Sequence, residues 1–253
     1  MWQDFFLFLG ISIGFNLAMF LVAYKLQTDK ITDISYSATF ITSVLGMFLL
    51  RSSNDVVDFS ILILILFWAI RLGTYLLMRI HTMGQDNRFD HIRNSFKSFL
   101  LFWIVQGVSV TIICIPIILS FNIADKELSI IGCIGIVIAI LGFLIESVAD
   151  KQKYSFKKEN PDAFIQTGLW TNIRHPNYLG EILFWIGIFL LSISGFENSI
   201  VFVGIISPSW IIFLLLKFSG IPPLEKKWAE KYKENNQFQV YYQKSYKLIP
   251  GIY

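Results

Sequence analysis

Runs of apolar residues about as long as a bilayer is thick constrain this chain more than any other feature. A helix needs roughly 20 consecutive apolar residues to cross a hydrocarbon core. Seven stretches approach or meet that length, at about 5–24, 34–50, 59–80, 98–120, 128–148, 178–195 and 199–217. The fold expected is all-α, a polytopic membrane protein whose seven transmembrane helices form a single membrane domain over 1–253. Charge is sparse enough to agree: 15% of residues are charged, against roughly 25% in soluble proteins. The second stretch is short and carries Ser35, Ser37, Thr39, Thr42 and Ser43, so it is expected to face protein. Asp4 and no basic residue precedes the first run, unlike the positive flank of a signal peptide, and that run reads as a retained helix.

Loop charge sets the orientation. With the N-terminus outside and the C-terminus cytoplasmic, all of the 21 Lys and Arg except Arg51, Lys126 and Arg71 fall in cytoplasmic loops or the tail. The expected location is a bacterial inner membrane, or the endoplasmic reticulum in a eukaryote. The long polar segments all lie on the cytoplasmic side, where a site for a soluble, charged cofactor would be built.

The densest polar constellation is Gly168–Glu181, which packs Arg174, His175, Asn177, Tyr178 and Glu181 into eight positions. Pro176 bars a helix through His175 and pushes it towards an extended conformation, and an apolar run opens directly beyond. Helix N-termini attract anions, and Arg174 beside one makes a phosphate-bearing ligand the natural guess. A loop that anchors its helix at the lipid headgroups would use the same Arg and Tyr.

Ionisable residues inside spans default to functional hypotheses. Arg71, Tyr75 and Arg79 step by four and share one helix face; a structural ion pair, or Arg79 reaching to the interface, is the alternative. After them, Gly84–Phe89 places Asp86 and Arg88 near the membrane surface. Glu146, Asp150, Lys153 or Tyr154, and Lys157 form a stripe from membrane depth into the cytoplasm. Carboxylates grip ribose hydroxyls or a carboxamide and cations take phosphates, though a salt-bridged helix end would look alike. In the tail, Pro222–Pro223 is read as a rigid turn that aims Glu225. Trp228 and Tyr232, spaced by four, would lie along the membrane interface as a surface anchor does.

Several chemistries are missing. No G-x-G-x-x-G follows a strand, and there is no P-loop, G-x-S-x-G or H-E-x-x-H. Cys114 and Cys133 lie in apolar segments and suggest no disulfide, and His81, His91 and His175 lack metal-ligand spacing. Neither a metal nor a nucleic-acid partner is expected; membrane lipid and a lipophilic small molecule are.

The segments E-S-V-A-D-K-Q (Glu146–Gln152), T-G-L-W-T-N-I-R-H-P-N-Y-L-G-E (Thr167–Glu181) and S-G-I-P-P-L-E-K (Ser219–Lys226), with R-L-G-T-Y-L-L-M-R and G-Q-D-N-R-F upstream, resemble the bacterial branch of the membrane steroid 5α-reductase superfamily. The resemblance runs from about residue 67 onward, with a reductase-like region over about 98–253. It implies seven transmembrane helices around a cytoplasm-facing NADPH cavity, and reduction of a carbon–carbon double bond conjugated to a carbonyl. By this resemblance Asp150, Lys157, Asn177, Tyr178 and Glu181 line the nucleotide cavity, with Arg88, Glu146, Arg174, His175, Glu225 and Trp228 as further cofactor contacts. Arg174 and Lys157 would take phosphates. Tyr75, with Glu181, would be catalytic, Tyr75 polarising the carbonyl; Asp33 and Arg71 would join it at the substrate. Lys157 stands where the steroid enzymes carry an arginine and Trp228 where they carry a tyrosine. Their Gln-Glu pair has no equivalent in the second span, where Asp33 is the nearest acid, and Gln85 replaces a usual Glu.

Isoprenylcysteine carboxyl methyltransferases and phospholipid methyltransferases share the R-H-P-x-Y-x-G loop and bind S-adenosylmethionine with it. They usually show a Glu-Glu pair after the last span, where this chain has Glu225–Lys226. Asn177, Glu181 and the E-x-x-x-D stripe favour the reductase.

Overall fold

The computed structural model describes residues 1–51, 55–83, 95–196 and 202–251. Among these it is all-helical, its one β-type pairing an isolated parallel bridge between Ile173 and Tyr246. The helices are α1 (Trp2–Lys25), α2 (Thr32–Arg51), α3 (Val56–Met83), α4 (Phe96–Ile113), α5 (Ile115–Ser120), α6 (Ile130–Glu159), α7 (Pro176–Ser192), α8 (Ile206–Phe213), α9 (Ile221–Lys231) and α10 (Asn236–Lys244). Six helical segments among the described residues are long and apolar enough to cross a membrane, and α7 is a shorter apolar helix of 17 residues. The protein is an integral membrane protein.

Boundaries depart from the apolar runs where side chains intervene. The fourth run is broken at Cys114, because Pro116 in the first turn of α5 has no N–H to continue α4. By contrast, α6 outruns its apolar stretch and carries the polar stripe on to Glu159. The seventh run begins partly outside the described residues. It ends in a π-turn, Leu214–Phe218, where Ser219 N and Gly220 N both donate to Leu214 O at 2.8 and 3.1 Å. The apolar stretch stops there; α9 lies beyond it and is charged from Glu225 onward.

By contact density the chain divides into two compact units, Met1–Ile136 with Ile188–Ser207, and Val137–Gly187 with Pro208–Tyr253. In the first, α1 packs on α2 and α4, and α2 on α3. The buried stripe of α1 is Asp4, Phe8, Ser12, Asn16, Phe20 and Ala23, so its polar residues point inward while Phe6, Leu21 and Val22 stay exposed. Lipid tails solvate leucine as well as a core does, which leaves hydrogen bonding and close packing to hold such helices. Asn16 Nδ2 donates to Ser12 O (2.8 Å) and Thr39 Oγ1 (3.0 Å), and Gln106 Nε2 donates to Asn16 Oδ1 (2.9 Å). Three helices are thereby tied together. Ser35, Ser37, Thr39 and Ser43 of α2 are buried, in line with the expectation that this polar span faces protein. A second lock is ionic. The Lys126 ammonium is fully buried and donates to Asp58 Oδ2 (2.9 Å), Asp55 Oδ2 (3.1 Å) and Ser120 O (2.9 Å), while Ser120 Oγ donates to Asp58 Oδ1 (2.8 Å).

In the second unit α6 and α7 cross in backbone contact. A Cβ on Gly142 would lie 2.3 Å from Phe184 N, and one on Gly180 would lie 2.5 Å from Glu146 N; only glycines permit this approach. The loop after α6 turns at Gly168 (φ +62), where Gln152 Oε1 accepts from Leu169 N at 3.0 Å. Trp170 then buries against Ala149 and Ile165, and its Nε1 donates to Ala149 O at 3.1 Å.

Candidate functional site

The site is built where that loop meets α7. Pro176 opens α7, so His175 is held just outside the helix, as the sequence predicts. Its imidazole is 1% exposed and lies parallel between Tyr178 (centroids 5.6 Å, planes 8° apart) and Trp228 (5.2 Å, 4°). Nε2 lies 3.4 Å from Glu225 Oε1, which favours the tautomer protonated at Nε2. Burial lowers the ring's pKa from the ordinary 6.5, with Lys153 and Arg174 adding to this and Glu225 opposing it. At neutral pH the imidazole is therefore uncharged.

Glu225 is the hub of the charge arrangement. Oε1 accepts from Arg174 Nε at 3.1 Å, and Oε2 lies 3.7 Å from Lys247 Nζ. Burial by itself would raise the carboxyl, but hydrogen bonds from His175 and Arg174 and the nearby positive charges hold it at about 2. Because His175 is neutral near pH 7, Arg174 and Lys247 supply the charge that keeps Glu225 ionised there. The carboxylate's direction comes from these partners and from helix α9; Pro222 and Pro223 sit in the first turn of that helix and form no separate turn.

Arg174 is itself deeply engaged. Beyond Glu225, its Nη1 donates to Tyr242 O at 2.9 Å and to Ser245 O, and its guanidinium lies 4.2 Å over the Tyr242 ring. Lys157, the other cation expected to meet phosphate, donates to Ala163 O (2.5 Å) and Pro161 O (3.2 Å), closing the turn after α6. Glu146 and Asp150 are buried at 3% and 4% exposure, on the α6 face that Gly180 touches. Asn177, Tyr178 and Glu181, in the first turns of α7, are half-buried. One unit thus gathers Glu146, Asp150, Lys157, Arg174, His175, Asn177, Tyr178, Glu181, Glu225 and Trp228.

Asp33, Arg71 and Tyr75 belong to the other unit. Asp33 binds Arg79 in an ion pair, the structural alternative raised for that arginine. Arg71, Tyr75 and Arg79 are all half-buried. Arg88 lies outside the described residues. Among the described residues no three His, Cys, Asp or Glu side chains gather as metal ligands.

One protein family, described as "Protein of unknown function (DUF1295)", matches residues 19–245. The chain belongs to that family. DUF1295 is linked to the steroid 5α-reductase-like superfamily. No curated protein and no solved structure matches the chain.

For this DUF1295 chain two features of the site escape the sequence pattern. The first is Lys153, whose ammonium lies 5.0 Å from the Trp170 ring centroid and 5.8 Å from that of Trp228; its place in the acidic stripe was visible, its indole partners were not. The second is the C-terminal tail. Trp228 and Tyr232 do not form an interfacial belt: Tyr232 is buried with Phe238 and Tyr241, and Trp228 stacks on His175. Packing among the aromatics of α9, α10 and Phe164 removes more apolar surface from water than single rings at an interface would.

Proposed function

We propose that this protein is a membrane oxidoreductase that binds NADPH from the cytoplasm and reduces a carbon–carbon double bond conjugated to a carbonyl in a lipophilic, steroid-like or isoprenoid substrate. The observation that carries the reading is the pair of buried carboxylates, Glu146 and Asp150, held against the start of α7 by the Gly142–Gly180 crossing. Carboxylates accept charge-assisted hydrogen bonds, and ribose hydroxyls or a carboxamide supply donors of the right kind. Asn177, Tyr178 and Glu181 line the same corner. When bound, NADPH would supply a hydride to the β-carbon. Tyr75 would donate a hydrogen bond to the carbonyl oxygen as negative charge builds there, and a proton from water would complete the reduction at the α-carbon. Apolar helix faces hold the substrate and exclude water. In this proposal α7 is one of seven crossings, the N-terminus lies outside and the C-terminus in the cytoplasm.

A second reading, an S-adenosylmethionine-dependent methyltransferase acting on a lipid or isoprenylcysteine-like substrate, draws on the same Arg174–His175–Pro176 loop. The single Glu225, where a Glu-Glu pair would be expected, weighs against it. Parallel titration of detergent-purified protein with NADPH, NADH and S-adenosylmethionine separates the two, with Asn177→Ala/Glu181→Ala as control. Selective NADPH binding lost in the double variant supports the reductase; S-adenosylmethionine binding instead sinks the hydride mechanism.

A further inference from the structure

The last turn of α10 and the residues after it meet Glu225 through Lys247 and Tyr242, and they also hold the loop before α7. Tyr246 N donates to Asn172 O and Tyr246 O accepts from Arg174 N, both at 2.8 Å, bracketing Ile173 in the parallel bridge. Tyr242 O, Ser245 O and Ser245 Oγ (3.3 Å) all accept from Arg174 Nη1. Tyr241 donates its hydroxyl to Trp170 O at 2.7 Å, and Leu248, 3% exposed, anchors the end of the segment.

The main route from this segment to His175 runs through Arg174. A guanidinium is a planar fork whose donors point in fixed directions. With Nη1 held by carbonyls of the strap, the guanidinium plane is fixed, and Arg174 meets Glu225 through Nε, on the same Oε1 that faces His175 Nε2. Without those carbonyls, a buried Arg174 with unmet donors would turn to grip both Glu225 oxygens, the favoured bidentate geometry. We propose that the strap Tyr241–Leu248 is a positioning element of the site, holding Arg174 so that Glu225 is presented to His175. Tyr242, Ser245 and Tyr246 are its positioning residues; all three act through Arg174, and Tyr242 also hydrogen-bonds Glu225 directly. The inference rests on the cofactor reading only for the identity of the ligand.

The test is the coupling between Glu225 and His175, read from the titration of ring-labelled histidine by NMR, with His175→Gln assigning the signal. The charged groups facing His175 are Glu225 from α9, Lys153 from α6 and the adjacent Arg174; the strap adds Lys247 and Tyr242, which face Glu225 itself, so it acts on the first of these. With the strap intact, Glu225→Gln moves the His175 midpoint further down, because it removes the negative charge and turns a charge-assisted hydrogen bond into a neutral one. In Tyr246→Pro, which deletes the N–H to Asn172 O, the same Glu225→Gln change leaves the midpoint where it was. Tyr246→Phe, which keeps the backbone bonds, behaves as the wild type. Equal shifts in the wild-type and Tyr246→Pro backgrounds overturn the proposal. Should Tyr246→Pro fail to fold, Leu248→Ala loosens the end of the strap more gently and must shrink the coupling; undiminished coupling there overturns the proposal too. Failure of NADPH to bind the wild type would sink the cofactor reading and leave this coupling untouched.

Discussion

Replacing Gly180 with alanine tests the helix crossing on which the site rests. The added methyl would lie 2.5 Å from Glu146 N, 2.7 Å from Gly142 O and 2.8 Å from Glu146 Cα. Ordinary contact begins near 3.4 Å, so α6 and α7 would have to part by about 0.9 Å at the tightest point. Two effects oppose each other. Alanine favours a helix over glycine by about 1 kcal/mol, whereas forcing an extra methyl into a packed interface costs about 1–3 kcal/mol. Here the obstacles are backbone atoms, which cannot rotate away as a side chain can, so the cost falls at or above the upper end of that range. A net loss of about 2 kcal/mol is expected, or roughly a 5 °C drop in Tm for a chain of this size. The control is within the same molecule: a Cβ at Gly14 of α1 meets nothing within 4 Å, so Gly14→Ala costs no stability. Thermal unfolding in detergent, followed by circular dichroism, compares the two. Equal melting temperatures for Gly180→Ala and Gly14→Ala would refute the crossing, and with it the placement of Glu146 against α7.

Lys126→Met removes the cation from a buried cluster and leaves Asp58, 1% exposed, without its charge partner; a loss of about 3–5 kcal/mol is expected, part of which Asp58→Asn in the same chain should recover. No recovery in the double variant would argue against the ionic lock. Acid stability should fall in two limbs. Burial holds His175 below 6.5, so above 6.5 its contribution is complete, and it declines below that pH as the unfolded chain takes up a proton the folded ring refuses. Although burial opposes it, Glu225 is held at about 2 against an ordinary 4.5 by its hydrogen bonds to His175 and Arg174; its contribution is complete above 4.5 and is lost as pH falls towards 2. Denaturant titrations across pH should lose the first limb in His175→Gln and the second in Glu225→Gln, and a limb that survives its own substitution contradicts the assignment. Tyr75→Phe should lower turnover of an enone substrate with NADPH affinity nearly unchanged; collapse of cofactor binding would place Tyr75 elsewhere in the mechanism.

Much of the helical architecture was legible in advance because apolar length is a local property. The inward face of α2 was legible too, since five Ser and Thr residues in the stretch 34–50 have no comfortable place against lipid. Glycine spacing was harder to read. Gly142 and Gly180 lie 38 positions apart, and nothing local says that their backbones touch. The candidate site divides the same way. His175, Tyr178 and Glu225 stand out as residue types at a helix start or after a break, yet the parallel stack and the shared Oε1 depend on α9 folding back.

Arg174 marks the boundary most clearly. A cation next to a helix N-terminus reads as a phosphate ligand, but the structure surrounds it with Glu225, Tyr242 and Ser245. The sequence by itself determined a membrane-embedded, all-helical chain and the segment in which polar chemistry concentrates, because both follow from side-chain solvation and backbone rules within a few turns. Which groups share a proton, a carboxylate or a ring face was decided by tertiary structure alone. Those contacts join residues about 50 to 70 positions apart, and their energies exist only once packing has excluded water from between them.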